Sequence, residues 1–250
     1  MNSECTEVAQ LLTKLAPSTL AQWVGAIATS AAVAVALFKD ELLRRYRRPR
    51  LSVRLKPEPP DCLLVPSAVV FDNRGTILWS GRIYWLRLWI ENVGIGRAEQ
   101  VQVFASRLFK RGANDRFAPV AEYEPMNLRW ANTRDPNNPE IFAPGISRRF
   151  GKHCDLCSIS DPANPTDHQD YVGQCVGTLQ LEVVPGGDRN RLPPGDYVVE
   201  IRVGAANADP VTVHVQINIK GPWSPNLESM LRDHLGVQIL STLPPGVTVD

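Results

Sequence analysis

Charge of one sign is what this sequence lacks. Its 250 residues carry 27 Lys and Arg against 26 Asp and Glu, a formal net charge of +1. Gripping nucleic acid by bulk charge needs a surplus of cations that releases counterions from the phosphates, so no nucleic-acid partner is expected. Five cysteines are too few for a disulfide scaffold, and 44% hydrophobic residues are too many for a disordered chain. Gly-rich phosphate loops, HExxH, GxSxG and kinase motifs are also missing. His153 and Cys154 are neighbours, but adjacent residues on a strand point to opposite faces and make a poor nucleophile-base pair. The chain is therefore expected not to be an enzyme.

What it does have is one long uncharged run. Residues 20–38, LAQWVGAIATSAAVAVALF, contain no charge and no proline. A helix rises 1.5 Å per residue, so this run nearly crosses a hydrocarbon core of about 30 Å. It is expected to be a transmembrane helix with the lipid bilayer as its first partner. Only Lys14 precedes it, whereas Lys39, Arg44, Arg45, Arg47, Arg48 and Arg50 follow. Cations beside a span favour the cytoplasmic side, which predicts a single-pass inner-membrane protein with a cytoplasmic C-terminal part. A cleaved signal peptide is the rival, but the run lacks a basic leader segment and arginines follow at once. Without these flanks, residues 51–250 keep 20 cations and 22 anions. Ahead of the span, Val8, Leu11, Leu12 and Leu15 recur at helical spacing, and within it Ala21, Gly25 and Thr29 form a row of small residues suited to self-association.

After Pro49 the period changes from 3.6 to 2, which predicts a mainly β domain. Strands are expected at residues 51–55, 63–71, 83–91, 98–109, 177–184, 196–205 and 211–219. In IYWLRLWIE, Tyr84, Leu86, Leu88 and Ile90 share one face, and Trp85, Arg87, Trp89 and Glu91 the other. The aromatic patch of Trp79, Tyr84, Trp85 and Trp89 is expected to pack in the core, with exposure of one face for a ligand as the alternative. Seven or so short strands between Pro/Gly loops predict a two-sheet sandwich. The full division is an amphipathic segment at 1–17, a transmembrane helix with a basic extension at 18–48, a cytoplasmic β-sandwich at 49–220, and a tail at 221–250. In that tail PNLESMLRDHL is expected to form a short C-terminal helix over an open sheet edge.

One cluster has metal-ligand character. Cys154 and Cys157 have the CxxC spacing that places two thiolates at adjacent corners of a zinc tetrahedron, and His168 with Cys175 completes a Cys3His set. A structural zinc on Cys154, Cys157, His168 and Cys175 is the one cofactor considered. A pair of reduced cysteines in a strand-edge loop is the alternative.

The run from Leu192 to Tyr197, LPPGDY, and the strand exit Glu91-Asn92-Val93-Gly94 resemble strand boundaries of immunoglobulin-like sandwiches. With HCDLC, GAANADPV and GPWSPNLESMLRDHLG, the chain is similar to uncharacterised bacterial single-pass membrane-anchored proteins with a C-terminal immunoglobulin-like β-rich domain. That resemblance brings no activity with it. Its outline is similar to small membrane effectors of anti-phage signalling, whose β-domain senses a nucleotide signal. Two functions follow as expectations: a membrane-anchored, non-enzymatic interaction or sensing module with a protein partner, and an oligomerising membrane effector whose β-domain senses a small molecule.

Overall fold

The computed structural model describes residues 21–39, 46, 48–71, 76–132, 141–163 and 173–247; the side chains of residues 67–71, 77–80 and 188 lie outside that description. The chain forms two units, divided after Arg47. In the first, helix α1 (Ala21–Lys39) is 19 residues long and apolar enough to cross a membrane by length and composition, a test that a signal sequence also passes. Every residue of α1 is exposed. The Thr29 hydroxyl donates to the Gly25 carbonyl at 2.8 Å, so this polar group is satisfied within the helix itself.

The second unit is built from antiparallel strands: β1 (Leu51–Arg54), β2 (Cys62–Phe71), β3 (Ile77–Asn92), β4 (Ala98–Arg111), β5 (Phe117–Pro119), β6 (Met126–Asn127), β7 (Ala143–Ile146), β8 (Gly151–Ser160), β9 (Gly177–Leu179), β10 (Arg191–Leu192), β11 (Gly195–Ala205), β12 (Ala208–Ile219) and β13 (Leu235–Ile239). One sheet runs β1-β3-β8-β9-β10, with β2 also on β3; the other runs β13-β12-β11-β4-β5, with β6 and β7 also on β4. The inner faces of both supply one core. Tyr84, Leu86, Leu88 and Ile90 of β3 face Val101, Val103, Val199, Ile201, Val215 and Ile217 from the second sheet, all buried. The alternation expected for IYWLRLWIE is therefore borne out on its inward side.

Two of the register breaks in these sheets place side chains that matter for the site. Leu86 pairs with Cys157 and Arg87 with Asp155, which leaves Leu156 as the extra residue. Glu200 pairs with Arg107 and Ile201 with Ala105, which leaves Ser106 extra. The first explains why β8 escapes a reading by alternation: His153-Cys154-Asp155-Leu156-Cys157 has no clean period of two.

Two expectations are corrected. The ladder begun at Gly177 stops at Leu179, because the Leu181 N–H donates back to the Leu179 carbonyl and folds the chain into a tight turn. The tail is helical over Leu227–Ser229 and Met230–His234, where the Asn226 side chain accepts from the Ser229 N–H and Met230 is buried. The open edge of β12, however, is covered by strand β13 and not by that helix. Leu235 and Val237 alternate inward, and the run is too short and too directly joined to the helix to carry a turn signal.

Candidate functional site

The zinc candidates come first. Cys154 and Cys157 both point inward, since the bulge at Leu156 restores the inward phase that a spacing of three would otherwise reverse. The Cys154 thiol donates to the Arg129 carbonyl at 3.3 Å and the Cys157 thiol to the Ser158 carbonyl at 3.5 Å. Burial pushes the Cys157 and Cys175 thiols up to about 12 and Cys154 well above its ordinary value. A protonated, hydrogen-bonded thiol is a poor nucleophile and must lose its proton before it ligates a metal. His168 lies outside the described residues. Among the described residues there is no group of three or more His, Cys, Asp or Glu arranged around a common point.

The outer face of the first sheet is different in kind. Trp85, Arg87 and Trp89 project from β3 away from the core and are half-buried. The expectation of core packing is thus corrected for Trp85 and Trp89, while Tyr84 does sit in the core. Arg87 Nε donates to Asp155 Oδ1 at 2.7 Å, and the Arg87 guanidinium lies 5.6 Å from the Trp85 ring centre. One step along, the Arg54 guanidinium lies 5.3 Å from the Trp89 ring, which meets the His153 ring edge-on at 4.7 Å. His153 Nε2 is 2.9 Å from Asp61 Oδ1, and the other Asp61 oxygen accepts from the Lys56 N–H. The result is a ladder of two indoles, each with a cation on it, backed by carboxylates that are almost inaccessible to solvent. Burial raises the Asp155 carboxyl above its ordinary value against the pull of the Arg87 charge.

Gly151 is what lets this ladder lie flat. It pairs with Glu91 across the sheet, and a β-carbon there would meet the Trp89 indole at 2.3 Å. The pairing of Asp61 with His153 is not marked by local sequence, since 92 residues separate them. The alternation of Trp85, Arg87 and Trp89 was the available signal for this face.

A second polar cluster lies on the outside of the other sheet. Glu200, wholly buried, receives Ser106 Oγ at 2.6 Å, Arg107 Nη2 at 2.9 Å, Arg202 Nη2 at 3.0 Å and faces His214 Nε2 at 3.3 Å. The bulge at Ser106 is what brings two consecutive β4 side chains to one carboxylate. Burial acts to raise this carboxyl, but the hydrogen bonds from Ser106 and Arg107 and the charges of Arg107 and Arg202 outweigh it and leave it below its ordinary value.

Two open grooves adjoin the first ladder through the loop between β1 and β2. One, of about 370 Å³, lies between Pro57 and Pro59 on that loop and Leu227 and Leu231 of the tail. The other, of about 320 Å³, is lined by Pro57, Gln216, Leu231, Val237 and Gln238. Asp61, at the end of the same loop, holds His153, so one short segment borders both the grooves and the indole ladder.

Comparison with protein-family models, with curated proteins and with solved structures produced no match to this chain.

Proposed function

We propose that this chain is a membrane-anchored binding module, non-enzymatic, held as a single-pass protein in the bacterial inner membrane by α1 with its β-domain in the cytoplasm. The observation that carries the proposal is the outer face of the first sheet. Half-exposed tryptophans with guanidinium groups stacked on them provide large, rigid contact area at low entropic cost, the composition enriched where proteins recognise partners. An immunoglobulin-like architecture for the sandwich draws support from Tyr197, whose hydroxyl donates to the Pro193 carbonyl at 2.9 Å, the bond expected of a tyrosine corner.

Two measurements test this. A reporter fused after Asp250 should be active only if it is of a kind that works in the cytoplasm; periplasmic activity overturns the topology. Crosslinking of the full chain in native membranes should recover a partner that Trp89→Ala and Arg54→Ala lose and that Thr212→Ala, exposed on the other sheet, retains. Retention by all three variants overturns the assignment of the face. Membrane depolarisation on overexpression that Gly25→Leu abolishes would instead favour the oligomerising effector, because bulk at Gly25 holds helix backbones apart.

A further inference from the structure

The end of the β-domain where the chain enters it is organised around one buried side chain. Asn92, fully inaccessible, donates from Nδ2 to the Gly96 carbonyl at 2.6 Å and the Ile146 carbonyl at 3.0 Å. Its Oδ1 accepts from the Gly94 N–H at 3.0 Å and the Arg50 N–H at 3.2 Å. Its backbone N–H donates to the Phe150 carbonyl, and its carbonyl accepts from the Arg149 N–H. One residue thereby fastens three segments: the entering chain at Arg48–Arg50, the loop Val93–Gly96, and the turn Ser147–Phe150.

These fastened segments hold apolar side chains out in solvent. Phe150 is 68% exposed, Val93 55% and Ile95 43%, and nothing in the core asks for any of them. Around them stand exposed Arg50, Arg97, Arg148 and Arg149, together with Arg48, which pairs with Asp209 at 3.5 Å. Among the described residues, Glu91, Glu99 and Asp209 are the acids at this end, so cations predominate there. Arg148 and Arg149 have no ion-pair partner among the described residues. Apolar tips ringed by arginines fit the boundary between acyl chains and anionic headgroups.

Connectivity selects the occupant. The chain enters the β-domain at Arg48, nine residues after Lys39. Nine residues reach at most about 30 Å even when fully extended, so a bilayer that holds α1 keeps this end within that distance of its surface. We infer that Val93, Ile95 and Phe150, with Arg148 and Arg149, dock the β-domain onto the anionic leaflet from which α1 emerges, fixing which faces of the domain remain open to a partner. The inference rests on the anchoring proposed above.

The full chain carrying Cys5→Ser is reconstituted in lipid nanodiscs with an environment-sensitive fluorophore on Ile95→Cys or, at the far end of the domain, on Asn114→Cys. The remaining cysteines are buried and do not compete for the label. In discs of equal phosphatidylcholine and phosphatidylglycerol, the label at 95 should shift to the blue and be quenched by spin-labelled lipid, while the label at 114 should do neither. Each well-placed cation multiplies the attraction to an anionic surface about fivefold, so Arg148→Gln with Arg149→Asn should lower the docked-to-free ratio about 30-fold with the melting temperature unchanged. Asparagine is chosen because Arg149 has φ of 61°, where it is tolerated. A chain that enters the discs with its 95 label still in water overturns docking and leaves the anchor standing. Equal burial in pure phosphatidylcholine, or burial without quenching by lipid, as a second copy would give, also overturns it. A chain that fails to enter the discs overturns the anchor and docking together.

Discussion

Replacing Asn92 by Ala removes four side-chain hydrogen bonds at once, and the magnitude can be worked from what is left behind. The Gly96 and Ile146 carbonyls and the Gly94 and Arg50 N–H groups lose their partner. A buried polar group without a partner costs about 1–3 kcal/mol. Gly94 and Ile146 are themselves buried, whereas Gly96 is half-buried and Arg50 exposed, so water recovers part of the loss at the last two. The expected cost is about 3–4 kcal/mol, dominated by the two buried groups. With a urea dependence of about 2 kcal/mol per molar for a domain of this size, the midpoint of unfolding should fall by about 1.5–2 M. Asn207→Ala is the matched control. It also removes bonds to two backbone groups, the Glu99 N–H and the Arg97 carbonyl, but in solvent, and should cost about 1 kcal/mol or less. Asn92→Asp sharpens the test. Its carboxylate still accepts from Gly94 and Arg50 but sets its second oxygen against two carbonyls, so the charged form is disfavoured and its folded pKa rises. Stability of this variant should fall as pH increases through the carboxylate range, the sign expected when the folded state holds the proton more tightly than the unfolded one. Equal midpoint shifts for Asn92→Ala and Asn207→Ala would refute the claim that burial makes Asn92 the fastening point.

Gly151→Ala should displace the Trp89 indole, since the new methyl group would meet it at 2.3 Å; the expected readout is a red shift of tryptophan emission and a loss of about 1–3 kcal/mol in urea unfolding. Glu200→Gln should cost about 3 kcal/mol at neutral pH by leaving Arg107 and Arg202 without their carboxylate. Because the Glu200 carboxyl is held below its ordinary value, its contribution is present above the unfolded pKa and lost as pH falls through the folded one, so the gap between wild type and variant should close on acidification. In the Cys5→Ser chain, a thiol reagent at pH 8 should find no reactive cysteine until denaturant is added, because burial holds Cys62, Cys157 and Cys175 up at about 12. Metal content measured on the same sample tests the zinc set: about one zinc per chain, lost in Cys157→Ser, is the outcome required if Cys154, Cys157, His168 and Cys175 hold the ion.

Much of the framework is local, and what is local was legible. A run of nineteen uncharged residues reads as a long apolar helix from composition alone, and every described residue of that run lies in α1. Strands β3, β11 and β12 announce themselves because their inner residues recur with period two, and no distant partner is needed to read that period. What the amino-acid order could not disclose depends on register. The extra residues Leu156 and Ser106 exist only relative to the opposing strand, yet they decide that Cys154 and Cys157 share the core and that Ser106 and Arg107 share Glu200. Strand β13 was hidden because five residues carry too little period, and only the open edge of β12 makes them a strand. Trp85 and Trp89 are as apolar as Tyr84, and hydrophobicity alone sends all three inward; the pleat allows one face only, and the larger apolar set of Leu86, Leu88 and Ile90 claimed it together with Tyr84. Asn92 looks like an ordinary turn residue at the end of a strand. Its role comes from three chain segments that meet only once the sheets have packed, because a buried amide is committed by whichever backbone groups the tertiary structure leaves without a partner.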